Sequence, residues 1–171
     1  QHCWFGQNTV LDGTGSLIIK NGVRVGMFSQ IWTHVAAGEQ IEGCTLFGTN
    51  PVLIEDDAWL VGTCTVGSGV EIGRRAICMN GSNVTKSVNE NTVVAGLPAK
   101  VIPSLSFYKD ITLGEKFELL ITWLEDFVSK NKGVALNASS DTKVILTTEL
   151  EIASFYKFRE DYDGNAILTN E

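Results

Sequence analysis

The stretch PVLIEDDAWLVGTCTVGSGVEIGRRAICMNGSNV, residues 51–84, carries an apolar residue at every sixth position: Ile54, Leu60, Val66, Ile72, Cys78 and Val84. Four residues after each stands a small or β-branched one: Ala58, Cys64, Val70, Ala76, Ser82 and Val88. A period of six matches neither the face of an α-helix nor the alternation of a hairpin meander. It fits a short strand plus a turn, repeated, in which three strands complete a triangular coil and stacked coils bury a continuous aliphatic column. Six hexads predict two coils. Outward from this stretch the same frame recurs at Ile19, Val25 and Ile31, with Val23, Ser29 and Val35 four residues on, which predicts one more. Gly22, Gly26, Gly62, Gly67, Gly69, Gly73 and Gly81 fall where turns need backbone freedom.

Composition narrows the classes further. The chain has 171 residues, 44% of them hydrophobic, with 17 Gly and only 3 Pro. That is a folding composition and not a disordered one. No apolar run approaches the ~18 residues of a transmembrane helix, so no membrane span is expected. Thirteen Lys and Arg against 20 Asp and Glu give a formal charge of −7. A surface that tracks nucleic-acid phosphates needs clustered cations, so no nucleic-acid partner is expected. Cys3, Cys44, Cys64 and Cys78 form no C-x-x-C pair, and reduced, structural thiols are the expectation. The start shows no signal-like charged and apolar regions, which points to the cytoplasm.

Two segments leave the frame. After His34 the period lapses through VAAGEQIEGCTLFGTNPVL, 35–53, which reads as a loop protruding from the coils. From about residue 112 the period becomes helical. Thr112 and Glu115 make a capping-box pattern, and Phe117, Leu120, Ile121, Leu124, Phe127 and Val128 lie on one face, with Gly133 as a stop. Leaving such a face exposed is costly, so it is expected to dock on the end or flank of the coils. TKVILTT, 142–148, and IASFYKF, 152–158, read as β segments, followed by a hairpin turn at 161–164. Asp161, Asp163 and Asn165 imitate the start of a calcium loop, but Ala166 stands where that loop requires Gly. The organisation is therefore a coil domain, 1–103, with the loop 35–53, and an appendage of helix and small α+β tail, 104–171.

Residues 9–103 resemble the hexapeptide-repeat acyltransferases. The likeness rests on PVLIEDDAWLVG (51–62), on GSNVTKSVNENTVVAGLPAKVI (81–102), which is similar to the closing signature of that family, and on FSQIWTH (28–34), which resembles the active-site approach of its sugar-acylating branch. The resemblance implies a left-handed parallel β-helix, acting as a homotrimer. The three flat faces of a short triangular coil agree with such an assembly. It also implies an acyl-CoA-dependent transferase, with acetyl-CoA or another acyl-CoA as cosubstrate, no metal, and the sugar hydroxyl or amino-sugar amine of a small molecule as acceptor. In the family a histidine at the place of His34 is the general base, and imidazole suits that task because its pKa lies near working pH. By the same resemblance Trp59 walls the site, Gly62 leaves room for the pantetheine, and Thr85, Lys86 and Lys100 meet the nucleotide end of CoA. A CoA phosphate does want point cations. Glu39 and Glu42 in the loop are candidate acceptor contacts.

Two other readings compete. A carbonic anhydrase built on the same repeat needs three histidines around zinc, whereas the chain has only His2 and His34. A non-catalytic trimeric β-helix scaffold would keep the coils and lose the chemistry. It has no need of the retained histidine or the closing signature.

Overall fold

The computed structural model describes residues 1–140, 143–148 and 151–156. The chain divides into two compact units, Gln1–Tyr108 and Lys109–Glu171.

In the first unit the strands are only two or three residues long and fall into three parallel sheets. The first sheet holds Trp4–Phe5, Arg24–Val25, Trp59–Leu60, Ile77–Cys78 and Val93–Ala95, and ends on the antiparallel strand Lys100–Val101. The second holds Val10–Leu11, Gln30–Ile31, Thr65–Val66 and Asn83–Val84. The third holds Leu17–Ile19, Val52–Ile54 and Glu71–Ile72, extended by a bridge from Ile72 to Val88. The chain visits the three sheets in the same order on every pass. Each strand pairs with its counterpart one pass later.

The hexad frame is the core. Val25, Ile31, Ile54, Leu60, Val66, Ile72, Cys78 and Val84 are at most 1% exposed. The small residues four positions on (Ala58, Cys64, Val70, Ala76, Ser82 and Val88) are also buried. Their small size lets the backbone turn close over the aliphatic column. The thiols are free. Burial, with a lesser contribution from Cys64, pushes the Cys78 thiol up to about 12, so it stays protonated as a small hydrophobe.

The coils are not of equal length. Leu11 pairs with Ile31, 20 residues on; Ile31 pairs with Val66, 35 residues on; Val66 pairs with Val84, 18 residues on. The first step explains why the hexad frame starts at Ile19: two extra residues shift the phase, and the strands Trp4–Phe5 and Val10–Leu11 ahead of it form one more pass. The second step absorbs the loop after His34. This segment is not irregular throughout. His34–Ala36 pairs antiparallel with Phe47–Thr49, and a 3₁₀ turn at Gln40–Glu42 caps the resulting hairpin arm.

Two corners are made by residues in the left-handed region, stacked in register. One column is His2, Gly22, Asp57, Arg75 and Asn91, with φ from 54° to 68°. The other is Asn8, Phe28, Thr63 and Gly81, with φ from 47° to 73°. In these columns the N–H still finds a carbonyl of the neighbouring pass, as in Thr63 N–H to Met27 O at 2.8 Å and Gly81 N–H to Gly62 O at 2.9 Å. Gly26 serves differently: a Cβ there would fall on the Val61 carbonyl, so its role is close approach and not turn conformation. A β-branched residue at positive φ is strained. Thr63→Gly should therefore stabilise the fold by roughly 0.5–1 kcal/mol, the ~1–2 kcal/mol of left-handed strain less the ~0.5–1 kcal/mol entropy cost of glycine. Chemical denaturation of the variant checks this.

In the second unit the helix runs Leu113–Lys130, and its capping box forms as expected, with Thr112 N–H donating to Glu115 Oε2 at 2.7 Å and Glu115 N–H to Thr112 Oγ1 at 3.2 Å. It ends at Asn131, two residues before Gly133. Phe117 is buried, and the helix packs against Ala135–Ser140. That strand opens an antiparallel sheet with Lys143–Thr147 and Ile152–Tyr156. Of the rest of the apolar face, Leu120, Ile121, Leu124 and Val128 are half-buried and Phe127 is exposed. The turn at 161–164 and the calcium-loop imitation lie outside the described residues.

Candidate active site

The segment FSQIWTH places its side chains by strand alternation. Ile31 and Thr33 point inward and are fully buried, while Gln30 and Trp32 face out. The coil then turns, and His34 emerges at the corner between the second and third sheets with 37% of its side chain exposed.

The pairing of Val10–Leu11 with Gln30–Ile31 brings Asp12 to the same corner. Its carboxylate is 8% exposed and lies 2.7 Å from His34 Nδ1. Asp12 Oδ2 also accepts from Thr33 N–H at 2.8 Å and Thr33 Oγ1 at 2.7 Å, and Oδ1 accepts from Thr14 N–H at 3.0 Å and Thr14 Oγ1 at 2.6 Å. Thr33 Oγ1 in turn accepts from Gly15 N–H at 2.8 Å, which locks the corner. These bonds hold the Asp12 carboxyl well below the usual carboxylate range. The Thr14 hydroxyl contributes most, burial opposes it, and His34, Thr33 and the Thr14 N–H add to the lowering.

The consequence is a fixed tautomer. An ionised carboxylate only accepts. The neutral His34 ring must therefore carry its proton on Nδ1, which leaves the Nε2 lone pair free. Trp32 backs the ring edge-on, with centroids 5.9 Å apart and planes at 75°. From His34 the arm continues into an open cavity of about 460 Å³ lined by Ala36, Ala37, Glu39, Gln40, Ile41 and Phe47. Glu42, the last residue of the 3₁₀ turn that Glu39 precedes, is exposed outside that lining.

The remaining candidates divide by sheet. Thr85 and Lys86 follow Val84 as Trp32 and Thr33 follow Ile31, so they stand exposed on the same corner, two passes along. Trp59 lies on the first sheet between Arg24 and Ile77, 40% exposed, and Gly62 follows it at a different corner. Lys100 lies on the antiparallel edge strand of that first sheet. One chain therefore does not bring Trp59, Gly62 or Lys100 onto the corner of His34. At Gly62 a Cβ would come within 2.9 Å of Asn80 Oδ1, the end of a side chain that can turn aside.

Asp12, Thr14 and Thr33 went unnoticed in the sequence. The usable signal was coil length: an acidic residue 22 positions before His34 is one coil away plus a short reach.

No protein-family model matches the chain. Among curated proteins, 78 residues are 41% identical to the 2,3,4,5-tetrahydropyridine-2,6-dicarboxylate N-acetyltransferase of Staphylococcus aureus, a match covering 45% of this chain and 33% of that protein. The chain thus spans about a third of the length of the curated relatives it matches. Among solved structures, a maltose O-acetyltransferase from Clostridium difficile 630 superposes with a TM-score of 0.54 at 26% identity, over 62% of this chain and 57% of that one.

The relatives are hexapeptide-repeat acetyltransferases.

The polySia-specific acetyltransferase NeuO shares the fold, with a TM-score of 0.55 at 16% identity over 77% of this chain and 59% of that one. This hexapeptide-repeat likeness matches the three-sheet architecture. It leaves the roles of individual residues to the geometry.

Proposed function

We propose that the chain is an acyl-CoA-dependent acyltransferase that moves an acetyl group onto a sugar hydroxyl or an amino-sugar amine, with His34 as general base. The observation that carries this reading is the Asp12–His34 pair, an ionised carboxylate fixing the tautomer of a half-exposed imidazole at 2.7 Å. A bare scaffold has no use for that arrangement. The acetyltransferase names of the relatives supply the reaction class.

In this mechanism Nε2 of His34 takes the proton of the acceptor O–H or N–H as that atom attacks the thioester carbonyl carbon. The tetrahedral intermediate collapses, the C–S bond breaks, and the CoA sulfur leaves with the proton that the imidazolium returns. Asp12 stays ionised throughout and stabilises the imidazolium. No acyl-protein forms.

The coils are read as a left-handed β-helix assembled as a homotrimer. That assembly suits the separation of candidates within one chain, since a neighbouring copy can bring Trp59 and Gly62 toward the His34 corner, with Thr85, Lys86 and Lys100 toward the CoA nucleotide. The test is a screen of sugar and amino-sugar acceptors with acetyl-CoA, read by thiol release. His34-dependent release that yields an acetylated acceptor supports the reading, and acetyl-CoA turnover that is unchanged in His34→Ala overturns it.

A further inference from the structure

The arm that leaves His34 is a two-stranded ribbon, and its register fixes which side chains share a face. His34 stands opposite Thr49, Val35 opposite Gly48, and Ala36 opposite Phe47. Side chains alternate along a strand, and directly opposed residues project to the same side. His34, Ala36, Phe47 and Thr49 therefore occupy one face, and Val35 and Gly48 the other. The cavity of the arm follows this division: Ala36 and Phe47 line it, whereas Val35 and Gly48 do not. It opens on the face that carries His34.

Phe47 is 52% exposed on that face. The residue opposite it is only Ala36, whose methyl leaves the aromatic ring open. The diagonal step from His34 to Phe47 is about 7–8 Å, a span that long and aromatic side chains bridge. A six-membered sugar ring lying on Phe47, with one hydroxyl or amine offered to His34 Nε2, fills the same step. One face of a pyranose presents mainly C–H groups, and such a face packs on an aromatic ring while its polar groups meet the few polar residues of the site, here Gln40 in the same lining. An open-chain polyol or amine carries the reactive group without the flat face. We infer that Phe47 is the platform on which the acceptor ring rests, and that it selects a cyclic acceptor over an open-chain one with the same reactive groups. The inference rests on the reading of His34 as the acyl-transfer base.

The experiment offers the full chain methyl glucopyranoside and methyl glucosaminide, and their open-chain counterparts glucitol and glucamine, with acetyl-CoA and thiol release as readout. In the wild type the KM of the rings should lie about tenfold or more below that of the open chains. Phe47→Ala should raise the ring KM about tenfold, the effect of losing a packed aromatic face. It should leave kcat, the KM for acetyl-CoA and the KM of the open chains within about twofold, the pattern of lost uniform binding. Phe47→Trp should keep the preference for rings. Three results overturn the inference: no transfer to either ring, open chains used as well as rings by the wild type, or a ring KM that Phe47→Ala leaves in place. A fall in kcat with a rise in the KM for acetyl-CoA, not rescued by Phe47→Trp, also overturns it, because Phe47 would then only hold the arm together. Thiol release by His34→Ala is measured alongside. Release that no longer depends on His34 defeats the proposed reaction, whereas His34-dependent release with an unmoved ring KM defeats the role of Phe47 alone.

Discussion

His34→Ala lowers the rate of acyl transfer by about 10²–10⁴, the usual worth of a positioned general base, and leaves CoA affinity within a few-fold. The two effects separate because His34 sits at the corner between the second and third sheets and touches only Asp12 and Trp32 among the site groups described. Its ring is 37% exposed and fills no part of the aliphatic column. Truncation therefore leaves no core cavity, and the melting temperature should hardly move. Steady-state kinetics with thiol readout, together with calorimetric titration of CoA, checks both halves. A drop in CoA affinity as large as the drop in rate would make His34 a binding residue.

Asp12→Asn should cost roughly 10²-fold in rate, less than the about 10⁴ that the corresponding change costs a serine-protease triad. The amide keeps the size of the carboxylate but loses the charge that stabilises the imidazolium. It can also present N–H₂ to Nδ1, which favours the wrong tautomer. The loss stays smaller because acyl transfer from a thioester starts with a good leaving group. The same substitution has a pH signature. Asp12 is lowered on folding from the ordinary value of 3.8. Its contribution to stability is thus fully present above that value and is lost as pH falls below it toward the folded value. The wild type should lose stability between pH 4 and pH 2 more steeply than Asp12→Asn, measured by denaturant unfolding at each pH. Parallel slopes for the two proteins would mean that the carboxylate is no better held in the fold than in the unfolded chain.

The coil core was legible because its rule is local. One inward residue every six positions, with a small residue four further on, marks Ile54 to Val84 without any knowledge of pairing. The first pass was hidden by its length, since the 20-residue step from Leu11 to Ile31 breaks the phase of an otherwise regular repeat. The hairpin in the arm was hidden for another reason. Its strands, His34–Ala36 and Phe47–Thr49, are three residues each and carry no alternation long enough to read. The strand Ala135–Ser140 escaped because Ala, Asn and Ser are poor strand formers that only a neighbouring strand makes extended. His34 could be found from its motif, whereas Asp12, Thr14 and Thr33 act through the register of adjacent passes. A single-chain pattern does not display that register until the coil lengths are known.

The central claim, that His34 and Asp12 work as one unit in acyl transfer, is tested most directly by a double-mutant cycle of His34→Ala, Asp12→Asn and the double variant, read as thiol release from acetyl-CoA with a saturating acceptor. If Asp12 acts only by orienting and charging His34, the double variant is no slower than His34→Ala alone. Losses that multiply, so that the double variant falls below His34→Ala by the full factor of the Asp12→Asn single variant, would contradict it.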